Sequence, residues 1–85
     1  ISIGALDADF GPSDSYLAEA EFARMVLSRG ETRVILSDAS KFGRTALIKV
    51  CDFKDINRLI TDGIPDAKLS AVLQEAGVSV NVVAR

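Results

Sequence analysis

Short apolar runs bounded by polar residues recur along the chain, and this pattern predicts β-strands. Residues 33–38 (RVILSD) form the most compact run, and their continuous apolar character is typical of a strand buried on both faces. Similar runs predict three more strands, at residues 45–53, 58–62 and 78–84. Near the start, SIGAL (2–6) is a shorter candidate strand, whereas the glycine, proline and aspartates of residues 7–15 predict a turn.

Two other segments have the apolar spacing of helices. In residues 15–29, one predicted apolar stripe comprises Ala18, Phe22, Met25, Val26 and the stem of Arg29. We expect this helix to be capped by Ser13, Asp14 or Ser15 and to end at a left-handed Gly30. The second helix is predicted to begin after Asp66 and to end at Gly77, with a buried stripe of Leu69, Val72, Leu73 and Ala76.

Strands that alternate with helices predict an α/β fold with a mainly parallel sheet and right-handed crossovers. No repeat, low-complexity tract or linker divides the sequence, so residues 1–85 are predicted to form a single domain. Because the first residue is isoleucine rather than methionine, we expect the chain to be part of a longer protein.

Composition narrows the possible functions. The chain has 85 residues, of which 48% are apolar and 26% charged, with a net charge of −2. These values are ordinary for a soluble globular protein, and the acidic balance argues against nucleic-acid binding by this chain itself. With no histidine and one cysteine, zinc motifs, histidine-dependent triads and an internal disulfide are excluded, which favours a reducing, cytoplasmic location. We find no signal-peptide pattern and no apolar run near the roughly 20 residues of a membrane span.

Polar side chains follow two of the predicted strands at the point where each strand ends. Asp38, Ser40 and Lys41 follow the first strong strand, and Thr61 and Asp62 follow a later one. Ligands of parallel sheets bind beyond the carboxyl ends of the strands. If these strands are neighbours, the lysine offers a charge for a phosphate, and the hydroxyls and carboxylates offer partners for a sugar.

A plainer interpretation of the same residues is a solvated loop in which Asp38 hydrogen-bonds its own backbone. Under that interpretation Phe42 fills an apolar gap and Arg44 is an exposed arginine. Gly43 permits a tight turn in either case. Cys51 has no strong sign of reactivity and is expected to be a small buried apolar residue.

Four sequence blocks together resemble a known family. EAEFARMVLSRG, VILSDASKFGRTAL, INRLITD and LQEAGVSVNVV, in this order, are similar to the C-terminal effector-sensing domain of DeoR-family bacterial transcriptional regulators. The resemblance covers nearly the whole chain, from Asp9 to Ala84. Its most specific parts are DASKFGR and the ITD that follows one strand and a short connection later.

The resemblance implies a Rossmann-like α/β domain, similar in fold to ribose-phosphate isomerase and glucosamine-phosphate deaminase. It implies binding of a phosphorylated sugar or related metabolite, with Lys41 as the leading contact. Weaker expectations extend to Asp38 and Ser40, and weaker ones again to Thr61 and Asp62. No cofactor is implied. DNA would be bound only by an N-terminal winged helix-turn-helix absent from this chain, and the first half of the sensor would be absent too. We therefore expect an incomplete pocket, and either self-association or altered packing of the chain.

Two alternatives remain open from the sequence. The chain could belong to a sugar-phosphate isomerase or deaminase, but residues 7–15 contain no convincing counterpart of the acidic motif that such an enzyme needs. It could also be an interaction module without a ligand. A non-enzymatic sensor is the preferred interpretation.

Overall fold

The computed structural model describes residues 1–83, which form two three-stranded sheets and two α-helices. In chain order the elements are β1 (Ala5–Asp7), β2 (Gly11–Asp14), α1 (Leu17–Arg29), β3 (Val34–Ser37), β4 (Ile48–Lys49), β5 (Arg58–Thr61), α2 (Ala67–Glu75) and β6 (Ser79–Val82). Two 3₁₀ turns, Ala39–Lys41 and Phe53–Asp55, follow β3 and precede β5. Neither α-helix in this part of the chain has the length and hydropathy of a membrane span.

One sheet is parallel and has the strand order β3-β5-β6. Its strands correspond to the apolar runs at residues 33–38, 58–62 and 78–84, so these predicted strands are confirmed, apart from Ala84, which lies outside the described residues. Ser37 pairs with Thr61, which aligns the ends of β3 and β5. On the other side of β3, Ser2 forms a parallel bridge to Leu36.

The other sheet is antiparallel, with the order β1-β2-β4, so the prediction of a single mainly parallel sheet is wrong for half of the strands. Strand β2 lies inside the segment predicted as a turn. The turn is shorter than predicted and lies between Asp7, the last residue of β1, and Gly11, the first residue of β2. The Asp7 carboxylate stabilises it by accepting the backbone N–H groups of Asp9 and Phe10 at 3.0 and 2.7 Å. The strands predicted at residues 2–6 and 45–53 are displaced or shortened, becoming β1 and the two-residue β4.

Helix α1 buries a different face from the predicted one. Ala20, Ala23 and Leu27 are buried, whereas Phe22, Met25 and Val26 of the predicted stripe are exposed. Both sets have helical spacing, and the small alanines allow the helix to approach the core closely. The predicted N-cap is wrong, because Tyr16 occupies that position without a side-chain hydrogen bond. The helix ends at Gly30 as predicted, but Gly30 has an extended backbone with φ −85° instead of the left-handed conformation.

Helix α2 agrees with its prediction. The Asp66 carboxylate accepts the backbone N–H of Leu69 at 2.8 Å, which is the expected N-cap contact. Leu69 and Leu73 are buried, with Val72 and Ala76 packed partly against the same core. Gly77 follows the helix with φ +79°, a conformation that favours glycine.

The core lies on one face of the parallel sheet. Ile35 and Leu59 are adjacent in register and fully buried, and they share one cluster with Leu73 of α2 and Ala20 of α1. A leucine or isoleucine so placed contributes about 1.5–3 kcal/mol through burial. Leu36 points to the opposite face and is 47% exposed, so the prediction that this strand is buried on both faces is wrong. That face carries no helix from residues 1–83, because the buried side chains of both helices join the cluster on the other side.

Candidate functional site

The carboxyl ends of β3 and β5 lie side by side, and both predicted polar clusters follow them. Because Ser37 pairs with Thr61, the turn that carries Asp38 and Lys41 is next to the loop that carries Asp62. The Asp62 carboxylate accepts the backbone N–H of Ala39 at 2.8 Å and so ties the two loops together. The structure therefore brings the two clusters to one rim of the sheet.

Asp38 organises the turn after β3. Its carboxylate accepts the backbone N–H of Ser40 at 2.9 Å and also the Ser40 hydroxyl. These hydrogen bonds, chiefly the one from the hydroxyl, lower the pKa of Asp38 below its usual value of 3.8, and the nearby charge of Lys41 acts in the same direction. At neutral pH Asp38 is thus a carboxylate committed to the loop, as the solvated-loop interpretation expects.

A cleft of about 320 Å³ opens at this rim, and we call it the strand-end cleft. Four of the five predicted site residues line it: Asp38, Lys41, Thr61 and Asp62. Ser40 does not line it, since its hydroxyl is turned to Asp38. Lys41 is half-buried. Two ion pairs are found within residues 1–83, Lys49–Asp52 and Lys68–Asp9, and neither involves Lys41.

The residues after Lys41 hold the turn in place. Phe42 is half-buried and packs against the core, as expected. Gly43 has φ +75°, and its N–H donates to the carbonyl of Leu6 at 2.8 Å, which joins the turn to the antiparallel sheet. Arg44 is exposed. These three residues shape the loop.

Gly63 is a site residue that sequence reasoning missed. A Cβ atom built on it would lie 2.6 Å from the Cβ of Ala39, closer than side chains approach one another. The loop after β5 can therefore lie against the turn after β3 only because residue 63 has no side chain. Its position one residue after Asp62 was the available signal, but the need for glycine depends on a neighbour 24 residues away in the chain.

A second cleft, of about 680 Å³, adjoins the first, and we call it the helix cleft. It shares Ser2, Ile3 and Lys41 with the strand-end cleft, and Asp14 and Glu19 add two carboxylates. Sequence reasoning missed this role of Asp14, a candidate helix cap, because residues 7–15 have the composition of a turn. Strand β2 instead carries Asp14 into the interior, next to the start of α1.

The two clefts share one cation and several acceptors. Of the side chains that line them, that of Lys41 alone is positively charged, whereas those of Asp38, Asp62, Asp14 and Glu19 are acidic. The backbone N–H groups of residues 39–43 are all used within the fold, so the turn offers no additional N–H donors for an anion. Such a site suits a ligand with one anionic group, which would meet the lysine, and several hydroxyls, which would donate to oxygen atoms.

The chain is similar to a known protein family and to several transcriptional regulators. Residues 1–63 match a family described as the DeoR C-terminal sensor domain. A putative aga operon transcriptional repressor of Escherichia coli O157:H7 is 34% identical over 84 residues, 98% of this chain and 31% of the relative. The transcriptional regulator GlpR of Haloferax volcanii is 29% identical over 80 residues, 94% of this chain and 31% of the relative.

A third relative has a more specific name. The glycerol-3-phosphate regulon repressor of Haemophilus influenzae is 27% identical over 66 residues, which is 78% of this chain and 26% of the relative. This chain thus spans less than a third of the length of each of these three relatives.

Proposed function

This chain belongs to the DeoR C-terminal sensor domain family, and we propose that it binds a phosphorylated sugar or related metabolite for a DNA-binding regulator. The names of its relatives as transcriptional regulators and repressors support a regulatory rather than an enzymatic role. The proposal places DNA binding in an N-terminal winged helix-turn-helix outside these 85 residues, and the regulator in the cytoplasm as a homo-oligomer.

The observation that carries the proposal is the strand-end cleft, where Lys41 lies beside the paired ends of two parallel strands. The Lys41 ammonium group contacts the ligand phosphate as a point charge. Thr61 and Asp62 meet the ligand's hydroxyls, and Asp38 and Ser40 act mainly by holding the turn that presents Lys41. That one relative is named for a glycerol-3-phosphate regulon supports a small phosphorylated polyol as the class of ligand.

Ligand binding then regulates DNA binding by favouring one arrangement of the oligomer. A ligand shifts such an equilibrium only by the difference between its affinities for the two arrangements. The loops after β3 and β5 are suited to this role because a hydrogen bond between Asp62 and Ala39 couples them, so a ligand that contacts both loops is sensitive to their relative position.

The test is a titration of the full-length regulator with a panel of phosphorylated sugars and polyols, read as a shift in melting temperature and in operator affinity. Lys41→Gln keeps much of the length of the side chain and removes its charge. Loss of a charged hydrogen bond of about 1.5–3 kcal/mol predicts a decrease in effector affinity of about tenfold to a hundredfold.

Lys54→Gln is the matched control, because Lys54 is exposed and lines neither cleft. We expect it to leave effector affinity unchanged. The proposal fails if none of the phosphorylated compounds shifts melting or operator affinity, or if Lys41→Gln responds to the effector like the unmodified protein. Turnover of a sugar phosphate that depends on Lys41 would favour the enzyme instead.

A further inference from the structure

A third cleft, of about 390 Å³, lies at the opposite end of the parallel sheet. Arg33 immediately precedes β3 and Asp55 closes the turn before β5, so this cleft lies near the amino ends of both strands. The other lining residues come from α1 and from the segment after β4: Arg24, Leu27, Ser28, Val50 and Cys51. It shares no residue with the clefts around Lys41. We call it the arginine cleft.

Backbone carbonyl groups hold both arginines in place. Arg24 Nε donates to the carbonyl of Val50 at 3.2 Å, and its Nη2 donates to the carbonyl of Lys49. Arg33 Nη1 donates to the carbonyl of Asp55 at 3.1 Å. Each guanidinium group is therefore oriented by neutral acceptors, and Arg24 Nη1 and Arg33 Nη2 have no hydrogen bond to a residue of the described chain.

No ion pair within residues 1–83 balances the charge of these two arginines. The ion pairs within residues 1–83 involve Lys49 and Lys68, not Arg24 or Arg33. The one carboxylate on the cleft, that of Asp55, accepts the backbone N–H of Asp52 at 3.0 Å. The lining residues therefore have a net positive charge, in contrast to the acidic surroundings of Lys41.

We propose that the arginine cleft is a second anion site, which binds a phosphate group, either as inorganic phosphate or on a small phosphomonoester. Guanidinium groups are planar and offer N–H donors in a fixed fork that matches phosphate oxygens. Because carbonyl contacts already hold both side chains, binding immobilises little that is not already ordered. The volume is in the range of pockets that hold small ligands. This site does not depend on the function proposed for Lys41.

Cys51 provides a reporter inside the arginine cleft. It is half-buried, and burial, with the nearby carboxylates of Asp55 and Asp52, raises the pKa of its thiol to about 11. Its reaction with an uncharged alkylating reagent is therefore slow and depends on access to the cleft. An anion held by Arg24 and Arg33 covers the thiol and disfavours the thiolate, so both effects slow the reaction.

The experiment measures the rate of Cys51 alkylation by iodoacetamide in the full-length protein, following the Cys51 peptide by mass spectrometry. Inorganic phosphate and methyl phosphate are compared with chloride at equal ionic strength, which distinguishes the free ion from the ester. By mass action, the rate falls about tenfold when the anion is about ten times above its Kd. We expect this protection to persist in Lys41→Gln and to be lost in Arg33→Gln.

Arg24→Gln is a second variant in which we expect the protection of Cys51 to be lost. Arg33→Lys tests the planar fork of the guanidinium group, because it keeps the charge; we expect weaker protection of Cys51 in this variant than with arginine. If Arg24→Gln fails to fold, Arg33→Gln alone decides the result, because the Arg33 side chain makes a single hydrogen bond within the described chain. The site is refuted if neither anion slows alkylation more than chloride. It is also refuted if protection survives in Arg33→Gln or disappears in Lys41→Gln.

Discussion

Asp14 is a carboxylate that the fold largely removes from water. Only 7% of the residue is exposed, at the end of β2 beside the first turn of α1. Burial raises its pKa above 3.8, the charge of Glu19 raises it further, and a hydrogen bond from the backbone of Gly4 partly opposes both. A Cβ atom on residue 4 would lie 2.6 Å from Asp14 Oδ1, so glycine is needed for this contact.

This environment predicts that Asp14→Asn stabilises the protein at neutral pH. A raised pKa means that the folded protein holds the proton to higher pH than the unfolded chain does. Stability is therefore lost as pH rises from the unfolded value of 3.8 through the folded pKa. Asparagine keeps an acceptor for Gly4 but cannot ionise. Melting temperatures measured from about pH 3 to about pH 7 should show the variant gaining over the parent as pH rises.

Glu19→Gln is the control for this experiment, because it removes only the second contribution to the Asp14 pKa and should give a smaller gain. A lower melting temperature of Asp14→Asn at neutral pH would show that the ionised carboxylate has a favourable partner, and the prediction would then be wrong.

At the scale of elements, the site depends on how closely two loops approach. Gly63→Ala places a methyl group in the space occupied by the Ala39 side chain, and one of the two loops must move. We expect lower stability and weaker effector binding. The loss of effector affinity should be larger than in a variant that destabilises the fold by changing a turn far from the cleft. Thermal melting and effector titration of the same samples measure the two effects.

The second substitution Ala39→Gly should restore part of both losses, because it removes the atom that the new methyl group meets. Such a double-mutant cycle separates direct contact from a general effect on the fold. If the stability and effector affinity of the double variant are no higher than the sum of the two single effects predicts, contact between residues 39 and 63 does not explain the losses.

The elements that were predicted correctly have strong local signals. Strand β3 has a continuous apolar run, and α2 has an acidic cap, a regular apolar stripe and a terminal glycine. Strand β2 (GPSD) has no such signal, because glycine, proline and aspartate disfavour strands and only its pairing with β1 and β4 makes it one. The position of the predicted site residues on one rim could be predicted from β3 and β5 alone. The roles of Asp14 and Gly63 could not, because they depend on packing between segments that are distant in the sequence.

Helix α1 shows the limit of periodicity. Its sequence has two apolar faces, and the bulky side chains of Phe22 and Met25 suggested the wrong one. The buried face consists mostly of alanine. Alanine adds little to a hydrophobic periodicity pattern, but its small side chain allows close packing against the core. Which face is buried depends on the neighbours of the helix, and these are remote in sequence.

At the scale of the whole molecule, two of its faces carry exposed apolar side chains. On α1, Phe22 is 58% exposed with Met25 and Val26 nearby, and on the parallel sheet Leu36 faces outward. Parallel sheets in proteins are usually covered on both faces. We therefore predict that the 85-residue chain, prepared alone, self-associates as concentration rises, which sedimentation velocity measures.

Phe22→Ser and Leu36→Ser should each shift this association to higher concentration, because each removes apolar surface from one of the two faces. Ile64→Ser is the control: Ile64 is 83% exposed but belongs to neither face. A chain that stays monomeric at every concentration, or an equal effect of all three substitutions, would contradict the prediction.

The proposed function depends above all on contact between Lys41 and the phosphate of the effector in the strand-end cleft. A crystal structure of the full-length regulator, with the phosphorylated compound that shifts its melting most, would show this contact. We predict a phosphate oxygen about 2.7–2.9 Å from Lys41 Nζ, with the ligand's hydroxyls near Thr61 and Asp62. A phosphate bound elsewhere, with Lys41 in contact only with solvent or protein, would overturn the proposal.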